Sequence, residues 1–283
     1  REMPMANWFG KGKKAAAAGF LALGVALAAF CGRGPSDGEG RESTAVPQET
    51  ERQSGEALEG PQLRPEEERA MKELYQALES EGLEAGARIL IEKEEIFASL
   101  FYETLEGKRR LFNGGSFAAG TEGEGMVLTS SATVFKGTFG PEGPEGNGLA
   151  LQAFLLEKPR YDYSVGVWER GKMNGPGETG YCYYEGAPEG EPEEVTREGT
   201  FRDDRMEGEV LYTTVSPEEG QTSWEIQTEG GRVILDERWL PDETGGLYHL
   251  PSLRDEGKVY AISPEEAESP SWGNLLIWGE ETE

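Results

Sequence analysis

The sequence predicts a mainly β chain: an extended antiparallel meander of β-hairpin repeats with an N-terminal helical hairpin cap, α+β overall. Three observations predict it. A string of glycines and aromatics at fixed offsets recurs four times between Leu111 and Tyr212. Apolar residues at helical spacing precede it from Met71 to Phe101, and strand-like alternation continues after it towards Trp278. Offsets that recur along a chain mark a repeat architecture, in which each unit buries its apolar side only against its neighbours.

Residues 1–31 read as a signal or lipoprotein segment. Lys11, Lys13 and Lys14 form a basic n-region, and Ala15 to Phe30 form an apolar stretch of 16 residues, short of the roughly 20 that span a membrane comfortably. The stretch ends at Cys31, followed by Gly32, and so resembles a bacterial lipoprotein signal. The resemblance implies that Cys31 is the lipid attachment residue and becomes the mature N-terminus. Phe30 departs from the small residue usual before that cysteine; an uncleaved anchor or an ordinary signal peptide is the alternative. Residues 32–64 lack aromatics and are rich in Gly, Pro, Ser, Glu and Gln, which predicts a disordered tether. As a coil its ends lie about 30 Å apart, enough to lift a domain off a membrane.

Residues 65–106 carry the helical pattern. Met71, Leu74, Tyr75 and Leu78 fall at i, i+3, i+4 and i+7, Pro65 suits a first turn and Gly82 ends the helix. A second helix carries Leu83, Ala87, Leu90, Phe97 and Phe101 on one stripe, so the pair forms an antiparallel hairpin capping the first β-repeat.

Residues 107–215 hold the repeats. The clearest copy, Gly166 to Gly177, reads G-V-W-E-R-G-K-M-N-G-P-G. A second has Phe135, Gly137, Phe139, Gly143, Gly146 and Gly148, and another has Gly199, Phe201 and Gly208; first glycine to later glycine is nine residues in each. A degenerate copy has Gly115, Phe117, Gly123 and Gly125. Residues two apart in a strand share a face, so Phe135, Gly137 and Phe139 point one way, as do Gly166 and Trp168. The glycines then leave room for a ring from the neighbouring strand to cross bare backbone. Glu169 to Lys172 supply a turn in which Gly171 takes positive φ, making each repeat one hairpin. Growing first-glycine spacings of 22, 29 and 33 residues place insertions such as Gly186 to Glu194 between hairpins.

These segments resemble MORN repeats, whose pattern is approximately Y-x-G-x-W-x-x-G-K-x-x-G-x-G. The copy at Gly166 departs only at the first position, where Ser164 stands and Tyr163 lies one residue earlier. In the copy at Gly137 the Gly-Lys turn gives way to Glu142, Gly143 and Pro144; in that at Gly199, Arg197 replaces the aromatic and Asp204 the turn glycine. Residues 216–283 predict a degenerate β extension. Thr222 to Thr228 alternates, Gly230 and Gly231 turn, and Val233 to Trp239 returns. Further strands fall at Gly246 to Leu250 and Lys258 to Ile262, a capping box at Ser263 and Glu266 opens a short helix, and Trp272 to Trp278 closes the sheet at its far end.

Function is bounded mostly by absences. A formal charge of −27 makes nucleic acid and anionic lipid headgroups poor partners for the surface, while membrane attachment would come through the N-terminal lipid or apolar segment. With one histidine, His249, and Cys182 as the only cysteine besides Cys31, no metal, cofactor or nucleophilic site is expected. Gly175, Gly177 and Gly180 spell G-x-G-x-x-G, but Pro176 interrupts and a strand follows where a dinucleotide fingerprint needs a helix. The candidate binding surface is the set of rings Phe139, Trp168, Tyr181, Tyr183, Phe201 and Tyr212, with the face of Met126, Leu128, Leu149 and Leu151 as the other choice. The expectation is a membrane-tethered extracytoplasmic scaffold or binding module for a protein, peptide or glycan. The alternatives are a carboxylate-dependent cell-wall hydrolase and an immunity-type binder of a basic toxin, the latter implied by an association of MORN-like repeats with toxin neutralisation.

Overall fold

The hairpins form one nine-stranded antiparallel sheet whose strands follow one another in sequence order. The computed structural model describes residues 63–105, 109–235, 246–252 and 257–279; Cys31 and nearly all of the tether fall outside them. The strands are β1 Gly123–Leu128, β2 Val134–Gly140, β3 Gly143–Leu155, β4 Pro159–Glu169, β5 Lys172–Tyr183, β6 Glu194–Arg202, β7 Arg205–Ser216, β8 Gly220–Glu229 and β9 Arg232–Val233. Each of the copies at Gly137, Gly166 and Gly199 is one hairpin, and β8–β9 adds another at the Gly230–Gly231 turn. The sheet runs unbroken across positions 215 and 216, so the repeats and the region after them share it.

The nine-residue offset has a structural cause. Register shifts occur just after Gly137, Gly166 and Gly199. Nine residues on, across the turn, Gly146, Gly175 and Gly208 have φ of +70°, +132° and +82°. The offset thus carries the chain from a flat glycine in the outgoing strand to a bulge glycine in the returning one, where two extra residues are accommodated with the glycine at positive φ. At β4–β5 the turn residues Arg170 and Gly171 both have positive φ, as a primed two-residue hairpin turn requires. The copy at Gly115 is not a hairpin. Phe112 bridges both Phe117 and Met126, and β1 pairs with β2 instead.

The flat glycines exist for space, and a neighbouring ring explains only some of them. A Cβ on Gly148 would meet the Trp168 indole at 3.3 Å, but one on Gly166 would meet Gly177 Cα and the Met173 methyl, each at 2.8 Å. Cross-strand glycine pairing and a methionine fill the gap where a ring was expected.

The sheet is covered on both faces. Val127, Phe135, Phe139, Ala150, Trp168, Phe201, Val210, Tyr212 and Ile226 lie on the first face, in one core with residues from the C-terminal region. Three helices cover part of the second: α1 Pro65–Ser80, α2 Leu83–Glu92 and α3 Glu94–Leu105. Met71, Leu74, Leu78, Ala87 and Leu90 pack there against Met126, Leu128, Val134, Leu149, Leu151, Tyr161 and Tyr163. The approach is close, since a Cβ on Gly86 would reach Leu151 at 3.1 Å. The second predicted helix is broken in two at Lys93, with ψ of +32°, and the helices lie over a face of the sheet rather than capping its first repeat.

The C-terminal region supplies the other cover. Strands β10 Tyr248–Pro251 and β11 Val259–Ile262 pair as a small second sheet, and Ser263 Oγ accepts from Glu266 N to start α4 Pro264–Glu268. The stretch from Trp272 to Trp278 does not close the sheet at its end. It crosses the first face as a strap, from Trp272 against Tyr212 to Trp278 against Phe135 and Phe139. Trp278 also lies where a Cβ on Gly143 or Gly171 would stand, so those two turn glycines admit its indole.

Candidate functional site

The rings chosen from the sequence belong to the core and do not form an open stacking surface. Phe139, Trp168, Phe201, Tyr212 and Tyr183 are buried and Tyr181 is half-buried. For Phe139, Trp168, Phe201 and Tyr212 the physical reason is the C-terminal region packed in the same core, whereas Tyr183 packs edge-on against Tyr181 and donates its hydroxyl to Glu191. Tyr212 has Trp224, Tyr260 and Trp272 with ring centroids 5.1 to 5.7 Å away, and Trp168 stands edge-on to Phe135 at 5.6 Å. The Arg160 guanidinium lies over Tyr181 at 4.0 Å and is paired with Asp162. The other choice, Met126, Leu128, Leu149 and Leu151, is buried under the helices.

The strap is latched by a buried polar network that the sequence did not disclose. Asn274 Nδ2 donates to Asp204 Oδ1 at 2.7 Å, and Asp204 Oδ1 also accepts Met173 N at 2.9 Å. Asn274 Oδ1 accepts from Ser164 Oγ at 2.5 Å and from Leu276 N at 3.0 Å. Ser164 and Thr179 share a further hydrogen bond, and Leu275 N donates to Thr179 Oγ1. Burial holds the Asp204 carboxyl above the usual range, against the pull of the Asn274 and Met173 donors. This network is structural: it ties β4, β5, the β6–β7 turn and the strap together.

Other reactive groups are likewise absorbed by packing. Burial pushes the Cys182 thiol up to about 12, with Glu194 nearby adding to the shift, which keeps it protonated and poorly nucleophilic at neutral pH. His249 sits in β10, paired with Ala261, and takes part in the small sheet. Among the described residues, no group of three or more acidic, histidine or cysteine side chains is arranged to hold a metal ion. No helix among them is long and apolar enough to cross a membrane.

Among the described residues, one part of the sheet is left uncovered by either core. Among the described residues, the core under the helix layer spans β1 to β4 and takes in Cys182 of β5 and Tyr184 just beyond it. Beyond it, the second face of β5 to β7 presents polar side chains in cross-strand rows. Glu178 stands opposite Glu198, which stands opposite Leu211; Gly180, Thr196 and Thr213 form the next row, and Cys182, Glu194 and Val215 the one after. Glu198 is exposed, whereas Glu178, Glu194, Thr196, Leu211 and Thr213 are half-buried. Tyr163, buried at the foot of α2, donates its hydroxyl to Glu178 Oε1 at 2.5 Å. Burial raises the Glu178 carboxyl above the usual range, and Glu198 and Glu194 push it further while the Tyr163 hydrogen bond lowers it. The composition hid this surface, because acids are abundant everywhere. The available signal was the alternation Glu194, Thr196, Glu198 along one strand, which puts all three on one face.

No protein-family model matches the chain, and no curated protein matches it.

Proposed function

We propose that this chain is a MORN-like, membrane-tethered extracytoplasmic lipoprotein whose sheet domain acts as a non-enzymatic scaffold or binding module for a protein, peptide or cell-wall ligand. The observation that carries the reading is the open, ordered polar face of β5 to β7 on a sheet otherwise covered on both sides. A rigid sheet positions side chains well, and a surface unused by the core is free to meet a partner. Attachment is supported by the basic n-region, the apolar stretch ending at Cys31 and the tether that follows. Mass spectrometry of the protein from a membrane fraction tests attachment: a lipidated Cys31 at the mature N-terminus is expected, and any other N-terminus overturns it. Affinity capture from the native cell surface tests the binding role, with a specific stoichiometric partner expected.

A second reading has one observation in its favour. Glu178, whose carboxyl burial raises above the usual range, stands directly opposite the exposed Glu198, two carboxylates in unlike surroundings as an acid and base pair of a carboxylate hydrolase would be. Release of soluble fragments from cell-wall material, lost in Glu178→Gln, would establish that activity; no release by the wild-type protein removes it.

A further inference from the structure

The carboxylate rows on β5 to β7 lie outside both hydrophobic cores. Glu178 and Glu198 are direct cross-strand neighbours, an arrangement that destabilises a sheet when both are charged. Among the described residues of these three strands, the alternation puts no lysine or arginine on this face from Pro176 to Cys182, from Glu194 to Thr200 or from Glu209 to Val215. The cation at its border, Arg88 of α2, is engaged by Glu84 and Glu185 and lies over the Tyr184 ring. Glu84 and Glu193 add negative charge around Cys182. The groups are also held in place: Glu178 takes the Tyr163 hydroxyl and Glu194 bonds to Thr196. Beside the acids, Leu211 offers a half-buried apolar spot in the same row, suited to the aliphatic stem of a lysine or arginine.

We propose that this face is the docking surface for a basic segment of a partner protein, an extended lysine- or arginine-rich stretch laid across β5 to β7 with its cations at Glu178, Glu194 and Glu198. The proposal rests on the binding-module reading and names the partner's chemistry. A cationic segment removes the repulsion between the opposed carboxylates and fills the rows without disturbing the sheet, and the net charge of −27 steers it inward. A second copy of this chain, equally acidic, would be repelled.

The test uses a short labelled peptide alternating lysine and threonine, with its glutamate–threonine counterpart as reference, at physiological ionic strength, where exposed charges are screened beyond about 8 Å. Wild type binds the basic peptide and not the acidic one. The variant Glu178→Gln/Glu194→Gln/Glu198→Gln binds roughly tenfold or more weakly, while Glu122→Gln/Glu142→Gln/Glu157→Gln, with the same loss of charge on other hairpins, stays within about twofold. Carbodiimide coupling of the peptide lysines maps to the three face carboxylates. The face variant keeps its melting temperature, since amide replaces repelling carboxylate; Glu198→Lys, at an exposed position, supplies the same loss of binding if it does not. Equal weakening of both triple variants, or coupling elsewhere, overturns the proposal as mere bulk attraction. A native partner captured equally by wild type and face variant overturns this site while leaving the binding-module reading standing. Failure of wild type to bind the peptide or capture any partner overturns both.

Discussion

Replacing Asn274 with alanine tests whether the strap is held by its polar latch or only by its tryptophans. The change deletes the 2.7 Å bond to the Asp204 carboxylate and leaves Ser164 Oγ and Leu276 N without the acceptor they share. A hydrogen bond to a charged group contributes ~1.5–3 kcal/mol, and a buried donor left unpaired costs ~1–3 kcal/mol. Some of this is recovered. Ser164 still has Thr179, and the backbone bond from Asn274 N to Asp204 O at 2.7 Å survives. The net expectation is a loss of about 3 kcal/mol, or roughly 6–12 °C in melting temperature for a domain of this size. Urea and thermal unfolding, followed by tryptophan fluorescence, measure it, because Trp272 and Trp278 flank the latch. Leu275→Ala, at a position 39% exposed, is the control and should cost under about 0.5 kcal/mol. A loss below about 1 kcal/mol for Asn274→Ala would refute the latch and leave the rings as the sole fastening.

Trp168→Ala should cost about 3–5 kcal/mol with loss of near-UV signal, since the ring is buried against Phe135 and over Gly148; an unchanged melting temperature would return it to the list of surface contacts. Gly166→Ala should destabilise far more than Gly120→Ala, as a methyl at Gly166 meets the Gly177 backbone and Met173 while one at Gly120 meets open space; equal melting temperatures would show the register to be wrong. Asp162, Glu178, Glu194 and Asp204 all have carboxyls raised by burial, so the native state binds protons more readily than the unfolded chain. Their contribution is present below the unfolded carboxylate range and lost as pH rises through the raised native values, so unfolding free energy should fall on going from pH near 4 towards neutral, less steeply in Glu178→Gln. Cys182 should resist alkylation at pH 8 until the protein is unfolded in urea; rapid labelling of the native protein would contradict its burial.

The parts of the fold legible in the sequence are those set by neighbours along the chain. Arg170 and Gly171 announce their turn, the recurring glycine offset announces a hairpin, though not its bulge, and Ser263 with Glu266 announces a cap, because each is a contact within a few residues. The misread parts depend on contacts far apart in sequence. Nothing around Gly143 tells that the ring beside it is Trp278, and nothing in the spacing of Phe139, Trp168 and Phe201 distinguishes rings that meet a ligand from rings that meet the strap. Periodicity reports that a face is apolar and is silent on what covers it. The break at Lys93 had no glycine or proline to mark it.

The two faces of the sheet carry different kinds of information. On the first, the repeat positions do one job in each hairpin: Phe135 and Phe139, Trp168 and Phe201 all fill the same core beside flat glycines. On the second, the intervening residues change steadily along the meander. Leu149 and Leu151 in β3 give way to Tyr163 and Val165 in β4, then to Glu178 and Gly180 in β5 and to Thr196 and Glu198 in β6. That gradient accounts for where the helices stop, because extending α2 over Glu178 and Glu198 would bury ionised carboxylates without a cation to pair them, at a cost of several kcal/mol each. The same arithmetic constrains whatever lies on β5 to β7 in the cell. It must bring cations or leave water in place, and an apolar occupant of the kind that covers β1 to β4 would not stay.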